Sequence, residues 1–239
     1  ENHGPHLPVD ADAVIAEAIC KRVAELIPST VLVMPTVHYG MSQHHMDFPG
    51  TVTVRPHILT EYVIDICNSL VDHGFKTILI VNGHGGNTPS LDVAARRVVT
   101  EREVLCTVVS WWDPPKVKQT YQQLKVYDEQ GRVDHGGITE TSIYLAAKPH
   151  AVDMERAVRV EYPATIYQGE APEKVPESLV NADYYLSYWS GVTPYGSVGD
   201  PTKASTEKGK ILIESAAQAI VDIIKALSQM KPRQRVDHH

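Results

Sequence analysis

Acidic and histidine side chains are concentrated in the first twelve residues, in the string ENHGPHLPVDAD. Glu1 and His3 lie two positions apart, so in an extended segment their side chains emerge on the same face. Asp12 follows at the start of a predicted helix. Two carboxylates and one imidazole are a common ligand set for divalent metals. The string therefore predicts a metal site, although a polar loop that ends in a helix-capping Asp has the same composition.

A second histidine lies among glycines in the string NGHGGN, directly after an apolar run. Core packing does not explain His84 in this setting, and Gly85 and Gly86 allow the backbone to approach a ligand closely. A phosphate-binding loop is the alternative interpretation. However, the string lacks the Lys-Ser/Thr ending of a P-loop and the spacing of a dinucleotide-binding turn. We interpret His84 as a site residue, with a nucleotide-dependent transferase as the rival.

The third motif is DHGGITETS, in which His135 and Glu140 lie five positions apart across a Gly-Gly turn. Alone it also fits an ordinary helix start, where the helix dipole favours a glutamate. Together the three motifs supply four to five metal ligands. Such a set suits two divalent ions about 3.5–4 Å apart, bridged by one carboxylate and a hydroxide.

Helices and buried strands alternate along the chain and would bring these motifs together. The strands are apolar on both faces, which predicts one α/β domain over residues 1–239 with a mainly parallel sheet covered by helices on both faces. The motifs follow strand ends, where open α/β sheets place their sites. Predicted strands cover 31–34, 77–81 and 104–109, and predicted helices cover 14–26, 58–71, 89–101, 141–147 and 207–227.

Composition restricts the partners. The net charge of −7 argues against nucleic acid or an anionic membrane surface as the main partner. No run is long and apolar enough to cross a bilayer. Three cysteines without metal-type spacing indicate reduced thiols in a cytoplasmic protein. We expect a further N-terminal strand before Glu1, because the chain opens inside a motif, and we interpret residues 238–239 as a possible purification tag.

The motifs resemble those of the creatininase-like amidohydrolases over nearly the whole chain. The resemblance rests on ENHGPHLPVDAD, YGMSQHHMDFPGT, IVNGHGGN, HGGITETS and GSVGDPTKASTEKG, in this order. It implies that Glu1, Asp12 and His84 hold one metal, and that His3 and Asp12 hold the other, with Asp12 bridging. His135 matches the histidine that serves proton transfer. The resemblance also implies a homohexamer, and the metals would be Zn²⁺, with Mn²⁺ or Fe²⁺ possible.

Several positions depart from creatininase itself. Gly85-Gly86 stands where creatininase has Tyr-Glu, so one carboxylate ligand is missing, and Glu140 is our candidate replacement. Gly131 stands where creatininase has a substrate-covering tryptophan. Related sequences have a glutamate at the position of Ile138. Trp111 matches a second pocket tryptophan and His45 a further family position, so both are candidate substrate contacts, together with Gly85 and Gly86.

These observations predict a dinuclear-metal amidohydrolase that cleaves a non-peptide C–N bond in a small cyclic amide or a formamide. A hydroxide between the metals would attack the carbonyl, and His135 would protonate the departing nitrogen. A peptidase of the mycofactocin-precursor type and an inactive metal-binding homologue are the alternatives. A stretch rich in aromatic residues forms either a pocket wall or a subunit contact, and it contains Tyr184, Tyr185, Tyr188 and Trp189.

Overall fold

A computed structural model describes residues 1–126, 134–161, 188–232, 236 and 238 of the protein. The regular structure of these residues consists of six helices and a two-stranded parallel sheet. The α/β class and the parallel strand pairing are therefore confirmed. In chain order the elements are α1 (Ala11–Leu26), α2 (Pro56–Asp72), β1 (Thr77–Asn82), α3 (Thr88–Glu101), β2 (Leu105–Ser110), α4 (Pro115–Leu124), α5 (Ile138–Ala147) and α6 (Thr206–Ser228).

The chain divides into two compact units, each assembled from separate stretches of sequence. The first unit contains Glu1–Ile15, Ser42–Thr53 and Tyr121–Leu212. The second unit contains Ala16–Met41, Val54–Thr120 and Ile213–His239. Among the residues that the structure describes, no helix is long and apolar enough to cross a membrane.

The parallel sheet belongs to the second unit. Thr77 pairs with Leu105, and the register continues to Asn82 opposite Ser110. Helices α2 and α3 pack beside the strands and bury an apolar core, because the strand side chains and one face of each helix leave water together. The core residues are Leu59, Val63, Ile64, Cys67, Val71, Ile78, Leu91, Ala94, Val98 and Val104.

The helix ends in this unit follow from local sequence. Pro56 and Pro89 lie in the first turns of α2 and α3, where the missing N–H of proline is not needed. Gly74 follows α2 at φ +93° and donates its N–H to the Val71 carbonyl at 2.9 Å. A residue in this left-handed region favours glycine, so the predicted helix end is confirmed.

One predicted strand is wrong, and one helix was not predicted. Residues 31–34 form no strand in this structure, and the side chain of Leu32 is 65% exposed. An apolar run is hydrophobic, but it forms a strand only if a neighbouring strand can pair with it. Among the described residues, β1 pairs with β2 and not with residues 31–34. Helix α4 was missed because its sequence PKVKQTYQQL carries few apolar residues. Helix α5 begins three residues earlier than predicted, so it includes Glu140 in its first turn.

The first unit packs the N-terminal string against α5. Leu7, Ala11, Val14 and Tyr144 form a buried cluster, and the Tyr144 hydroxyl donates to Asp10 Oδ1 at 2.8 Å. This packing brings the start of the sequence close to the DHGGITETS motif, although more than one hundred residues separate them. The same unit therefore contains two of the three predicted site motifs.

Candidate metal centre

His3 lies at the centre of a buried group of carboxylates in the first unit. Its Nδ1 is 3.1 Å from the Glu1 carbonyl oxygen, and its Nε2 is 3.1 Å from Asp12 Oδ1. The same Nε2 lies 3.7 Å from Glu140 Oε2. A carbonyl can only accept, so Nδ1 carries a hydrogen and Nε2 faces the carboxylates. Metal-binding histidines are oriented in this way, by a hydrogen bond from the nitrogen that does not bind the ion.

Glu1 is the second centre of the cluster. Its side chain is 1% exposed, and Oε2 lies 3.3 Å from His45 Nδ1 and 3.8 Å from His44 Nε2. Its other oxygen, Oε1, lies 3.6 Å from His135 Nε2. A carboxylate buried among three imidazoles is a strong ligand for a cation and a costly group without positive charge nearby.

A tight turn at the start of α5 places His135 and Glu140. The Gly136 N–H donates to Glu140 Oε2 at 2.6 Å, and the His135 backbone pairs with Val198 in an antiparallel bridge. Asp134 satisfies donors in the first turn of α5, because its Oδ2 accepts the Thr139 N–H at 3.1 Å and its Oδ1 accepts the Thr139 hydroxyl. These hydrogen bonds fix the turn that carries His135 and Glu140.

Burial and mutual charge shift the protonation of these groups. Burial disfavours the charged form of His3, but the carboxylates of Asp12 and Glu140 outweigh it and raise its pKa to about 10. Burial, together with the charge on His3, holds the pKa of His135 well below its usual value. Burial also raises the pKa of Glu140 to about 7, against the attraction of His3, and that of Asp134 to about 6.

The donor atoms of this cluster fit divalent metal ions. The first unit contains three sets of potential ligand atoms, and within each set the atoms lie within 4.8 Å of one another. In addition, His45 Nε2 is buried and has no hydrogen-bond partner among the described residues. The carboxylates of Asp12 and Glu140 lie 3.1 and 3.7 Å from His3 Nε2 and attract positive charge there, so a cation would take the place of a proton. The sets are Glu1–His3–Asp12, Glu1–His45–His135 and His3–His135–Glu140.

Of the predicted site residues, the first unit therefore brings together Glu1, His3, Asp12, His135 and Glu140. It adds His45 to the candidate ligands, where the sequence indicated a substrate contact. His44 also contacts the Glu1 carboxylate.

His84 belongs to the second unit. Its Nε2 lies 3.0 Å from the Met41 carbonyl oxygen, so Nε2 carries the hydrogen. Asn82, the last residue of β1, accepts the His84 N–H at 3.1 Å and donates to Thr88 and Ser110. These bonds fix the glycine-rich turn after the strand. The convergence of His84 with Asp12 stays a prediction.

Trp189 forms an aromatic wall beside the cluster. The centroid of its indole lies 5.0 Å from that of His45, 5.5 Å from that of His135 and 6.3 Å from that of His44. Its Nε1 donates to the Gly196 carbonyl at 3.1 Å, which fixes the orientation of the ring. Of the predicted aromatic wall, Trp189 is thus placed at the site, whereas Tyr184 and Tyr185 lie outside the described residues.

The remaining predicted substrate contacts belong to the second unit. Trp111 is 1% exposed and packs edge to face against Trp112 at a centroid distance of 5.8 Å. Gly85 and Gly86 form a short 3₁₀ turn with Asn87, next to His84 in sequence. A contact of any of these residues with a substrate stays a prediction.

Two residues beside the cluster were missed in the sequence. Asp134 shows a recognisable signal, since an Asp shortly before a helix start is a preferred capping residue. His6 is buried at 2% exposure and lies 2.9 Å from Thr141 through its Nε2. No spacing rule distinguishes it from the neighbouring His3, because only the fold determines which histidine faces the carboxylates.

The fold and the cluster define an α/β protein with a buried carboxylate–imidazole site of the kind used in hydrolytic metal centres. Comparison with known proteins gives the family. The family described as Creatininase, creatinine amidohydrolase, matches residues 1–224. The chain therefore belongs to the creatininase family.

Three of the curated relatives illustrate that the activities named in this family differ. Creatinine amidohydrolase of Pseudomonas putida is 32% identical over 237 residues, which cover 94% of this chain and 85% of that protein. The mycofactocin precursor peptide peptidase of Mycobacterium ulcerans is 26% identical, over 97% and 82% of the two chains. A third relative, from Methanococcus maripaludis, is 31% identical over 65% of this chain and 72% of that protein. It is named 2-amino-5-formylamino-6-ribosylaminopyrimidin-4(3H)-one 5'-monophosphate deformylase.

Solved structures of creatininase share the fold. The structure of the manganese form has a TM-score of 0.70 and 30% identity, and the match covers 95% of this chain and 86% of that one. A Zn–Zn form of a creatininase variant has a TM-score of 0.72 and 31% identity over the same shares. The fold of this chain is thus that of proteins crystallised with divalent metals.

Proposed function

We propose that this protein is a dinuclear-metal amidohydrolase that cleaves a non-peptide C–N bond in a small cyclic amide or a formamide. The observation that carries the proposal is the buried cluster of Glu1, His3, Asp12 and Glu140, in which His3 Nε2 faces two carboxylates. Manganese and zinc forms of creatininase, with the same fold, support the divalent metals.

The proposed ligands divide between two ions. Glu1, Asp12 and His84 would hold one ion, and His3, Asp12 and Glu140 would hold the other, with Asp12 shared. Glu140 replaces the carboxylate that creatininase has at the position of Gly86. Its Oε2 is 3.7 Å from His3 Nε2, which is close enough for both atoms to bind one ion at normal ligand distances of about 2.0–2.2 Å.

His45 and His135 have a different place in the proposal. Both contact the Glu1 carboxylate, and both rings lie against Trp189. His45 would either complete the first ion's ligand set or contact the substrate, and its Nδ1 at 3.3 Å from Glu1 Oε2 suits both. His135 would move the proton.

Divalent ions, when bound, activate water and polarise an amide carbonyl. In the proposed mechanism, His135 then transfers the proton. His135 Nε2 lies 3.0 Å from the Asn2 carbonyl oxygen, so Nε2 carries its hydrogen and Nδ1 is a free base. The low pKa of His135 keeps it neutral near pH 7. It can therefore accept a proton from the attacking water and pass it to the departing nitrogen, which is a poor leaving group as an anion.

The test begins with the metals. The purified protein is stripped with a chelator, reloaded separately with Zn²⁺, Mn²⁺ and Fe²⁺, and measured by elemental analysis. We expect two ions per chain. Each form is then assayed on creatinine and other cyclic amides, on formamides and on short peptides. Hydrolysis of a cyclic amide or a formamide, abolished by the chelator and restored by metal, is the expected result.

The other outcomes identify the alternatives. Cleavage of peptides alone would assign a peptidase, in line with the mycobacterial relative. Two bound ions without turnover on any amide would indicate an inactive metal-binding homologue. A chain that binds no divalent metal would contradict the proposal.

A further inference from the structure

His6 is a buried polar side chain that the proposed chemistry does not use. It is 2% exposed, and its Nε2 lies 2.9 Å from the hydroxyl oxygen of Thr141, which is itself fully buried. The Thr141 hydroxyl donates its single hydrogen to the Gly136 carbonyl at 3.3 Å. It must therefore accept from His6, so His6 Nε2 carries the hydrogen and Nδ1 does not.

Burying His6 costs more free energy than burying an apolar side chain of the same size. Nδ1 of His6 is buried and has no hydrogen-bond partner among the described residues. Burial together with the charge on His3 lowers the pKa of His6 to about 4, so the ring is neutral. A neutral ring with one unsatisfied nitrogen is less stable in a core than an apolar ring of the same size. His6 instead contributes its bond to Thr141 and a contact with the Gly136 backbone.

Thr141 connects His6 to the turn that carries the site residues. Gly136 accepts the Thr141 hydroxyl through its carbonyl and donates its N–H to Glu140 Oε2 at 2.6 Å. Gly136 has a φ of +60°, and a Cβ there would overlap the carbonyl group of His3. The turn is thus held between His3, Glu140 and the His6–Thr141 pair.

We propose that His6 is a positioning residue for the metal centre and that it acts through Thr141 and Gly136 on Glu140 and His135. The inference rests on the proposed function, because the carboxylate it positions is the proposed ligand. Loss of the link frees the Gly136 carbonyl, so that φ and ψ of Gly136 can change. The Gly136 N–H then shifts, and the Glu140 carboxylate bound to it moves away from His3 Nε2. Outer-sphere partners of this kind change metal affinity by roughly 10- to 100-fold.

The test compares His6→Phe and Thr141→Val with His6→Gln and Thr141→Ser. The first two variants keep the shape and remove the hydrogen bond. The second two keep a donor and a hydroxyl. Each protein is titrated with Co²⁺, and the stoichiometry, affinity and visible absorption spectrum are recorded. Thermal unfolding of the metal-free proteins provides the measure of a purely structural effect.

We expect His6→Phe and Thr141→Val each to weaken binding of one Co²⁺ ion about 10- to 100-fold and to change its spectrum. Metal-free His6→Phe should unfold at or above the wild-type temperature, because it removes an unsatisfied nitrogen. His6→Gln and Thr141→Ser should restore the wild-type spectrum. The double variant His6→Phe/Thr141→Val should bind no more weakly than the weaker single variant, since both remove one link.

Two results would overturn the inference alone. One is a wild-type protein that binds two Co²⁺ ions while His6→Phe and Thr141→Val bind them with the same affinity and spectrum. The other is a double variant whose loss equals the product of the single losses. If His6→Phe does not fold, Thr141→Val tests the same link. A wild-type protein that binds no Co²⁺ would overturn the proposed function and this inference together.

Discussion

At the scale of single residues, the two ring nitrogens of each histidine separate structural from chemical roles. His3 and His135 each point one nitrogen at a backbone carbonyl, at 3.1 and 3.0 Å. The carbonyl decides which nitrogen carries the hydrogen, and the opposite nitrogen is left to bind an ion or a proton. His3 then faces carboxylates, whereas His135 stacks against other imidazoles and Trp189. We therefore assign different roles to the two histidines: metal binding to His3 and proton transfer to His135.

The assignment of His135 to proton transfer predicts the behaviour of His135→Ala. Turnover should fall by roughly 10²- to 10⁴-fold, which is the usual contribution of a positioned acid or base. The metal content should remain at two ions per chain, because Glu1, His3 and Asp12 are unchanged. Elemental analysis beside kcat measures both quantities. Loss of one ion from this variant would show that His135 is a ligand, as its proximity to Glu1 and His45 allows.

Glu140→Gln separates a ligand from a group that only orients its neighbours. If Glu140 binds an ion, the variant should hold about one metal per chain instead of two, because an amide oxygen is a weaker ligand than a carboxylate. Glu207→Gln is the matched control, since Glu207 lies on the first turn of α6 without a role in the site. Two retained ions with a reduced rate would mean that Glu140 orients the Gly136 turn.

Trp189 should set the fit of the substrate rather than the chemistry. Its indole lies against His45 and His135 and is held by the bond to the Gly196 carbonyl. Trp189→Phe keeps an aromatic face, and Trp189→Ala removes it. We expect KM to rise in the order wild type, Phe and Ala variants, by up to about 10-fold for a lost aromatic contact of roughly 0.5–1.5 kcal/mol. A kcat loss with unchanged KM would contradict this role.

Much of this site could be predicted from residue type and spacing. Glu1, His3, Asp12, His135 and Glu140 were singled out from the sequence, and the structure places them in one buried cluster. The contribution of His45 was not predicted as a ligand, because a histidine in a loop of three histidines has no periodicity to indicate its direction. His6 was missed because its role depends on a hydrogen bond to Thr141 across the fold. Asp134 was missed although its bonds to Thr139 are local and an Asp before a helix start is a recognisable signal.

At the scale of elements, sequence patterns predicted those helices and strands whose side chains have a strong period or a clear end signal. Helices α2 and α3 and both strands were predicted to within a few residues, since proline and glycine mark their ends. Helix α4 was missed because its polar sequence shows little amphipathic period. The predicted strand at 31–34 was wrong because strand formation depends on a partner, which an isolated apolar run does not specify.

The close approach of Gly209 to α5 within the first unit predicts the effect of a small change. Gly209 in α6 faces the backbone of Ser142 in α5, and a Cβ at Gly209 would overlap the Ser142 carbonyl oxygen. Gly209→Ala should therefore lower stability by about 1–3 kcal/mol, the usual range for overpacking, although alanine favours a helix. Thermal unfolding of the metal-free protein measures this.

Gly85→Ala is the matched control for that substitution. A Cβ at Gly85 would meet no atom within 4 Å, and its φ is not positive. Its unfolding temperature should stay close to the wild-type value, as for other exposed positions with changes within about 0.5 kcal/mol. An equal loss in both variants would mean that α6 and α5 adjust freely and that the close approach of Gly209 has no cost.

At the scale of the whole molecule, several large apolar side chains of the described residues are exposed to solvent. Tyr39 and Tyr62 are 61% and 53% exposed, and Phe75 is 41% exposed. Exposed apolar groups of this size are commonly covered by other subunits. This agrees with the homohexamer that the family resemblance implies.

We therefore predict that the protein in solution is a hexamer of the 26.4 kDa chain. Size-exclusion chromatography with light scattering measures the mass directly, and the expected value is six times that of one chain. The mass should persist in high salt, because burial of apolar surface is not screened as charge pairs are. Leu32→Asp, Tyr39→Asp and Tyr62→Asp place a charge on this exposed apolar surface, and at least one should lower the mass if the surface is buried between copies. A wild-type mass equal to one chain would contradict the hexamer, and a full-size hexamer in all three variants would show that these side chains lie outside the subunit contacts.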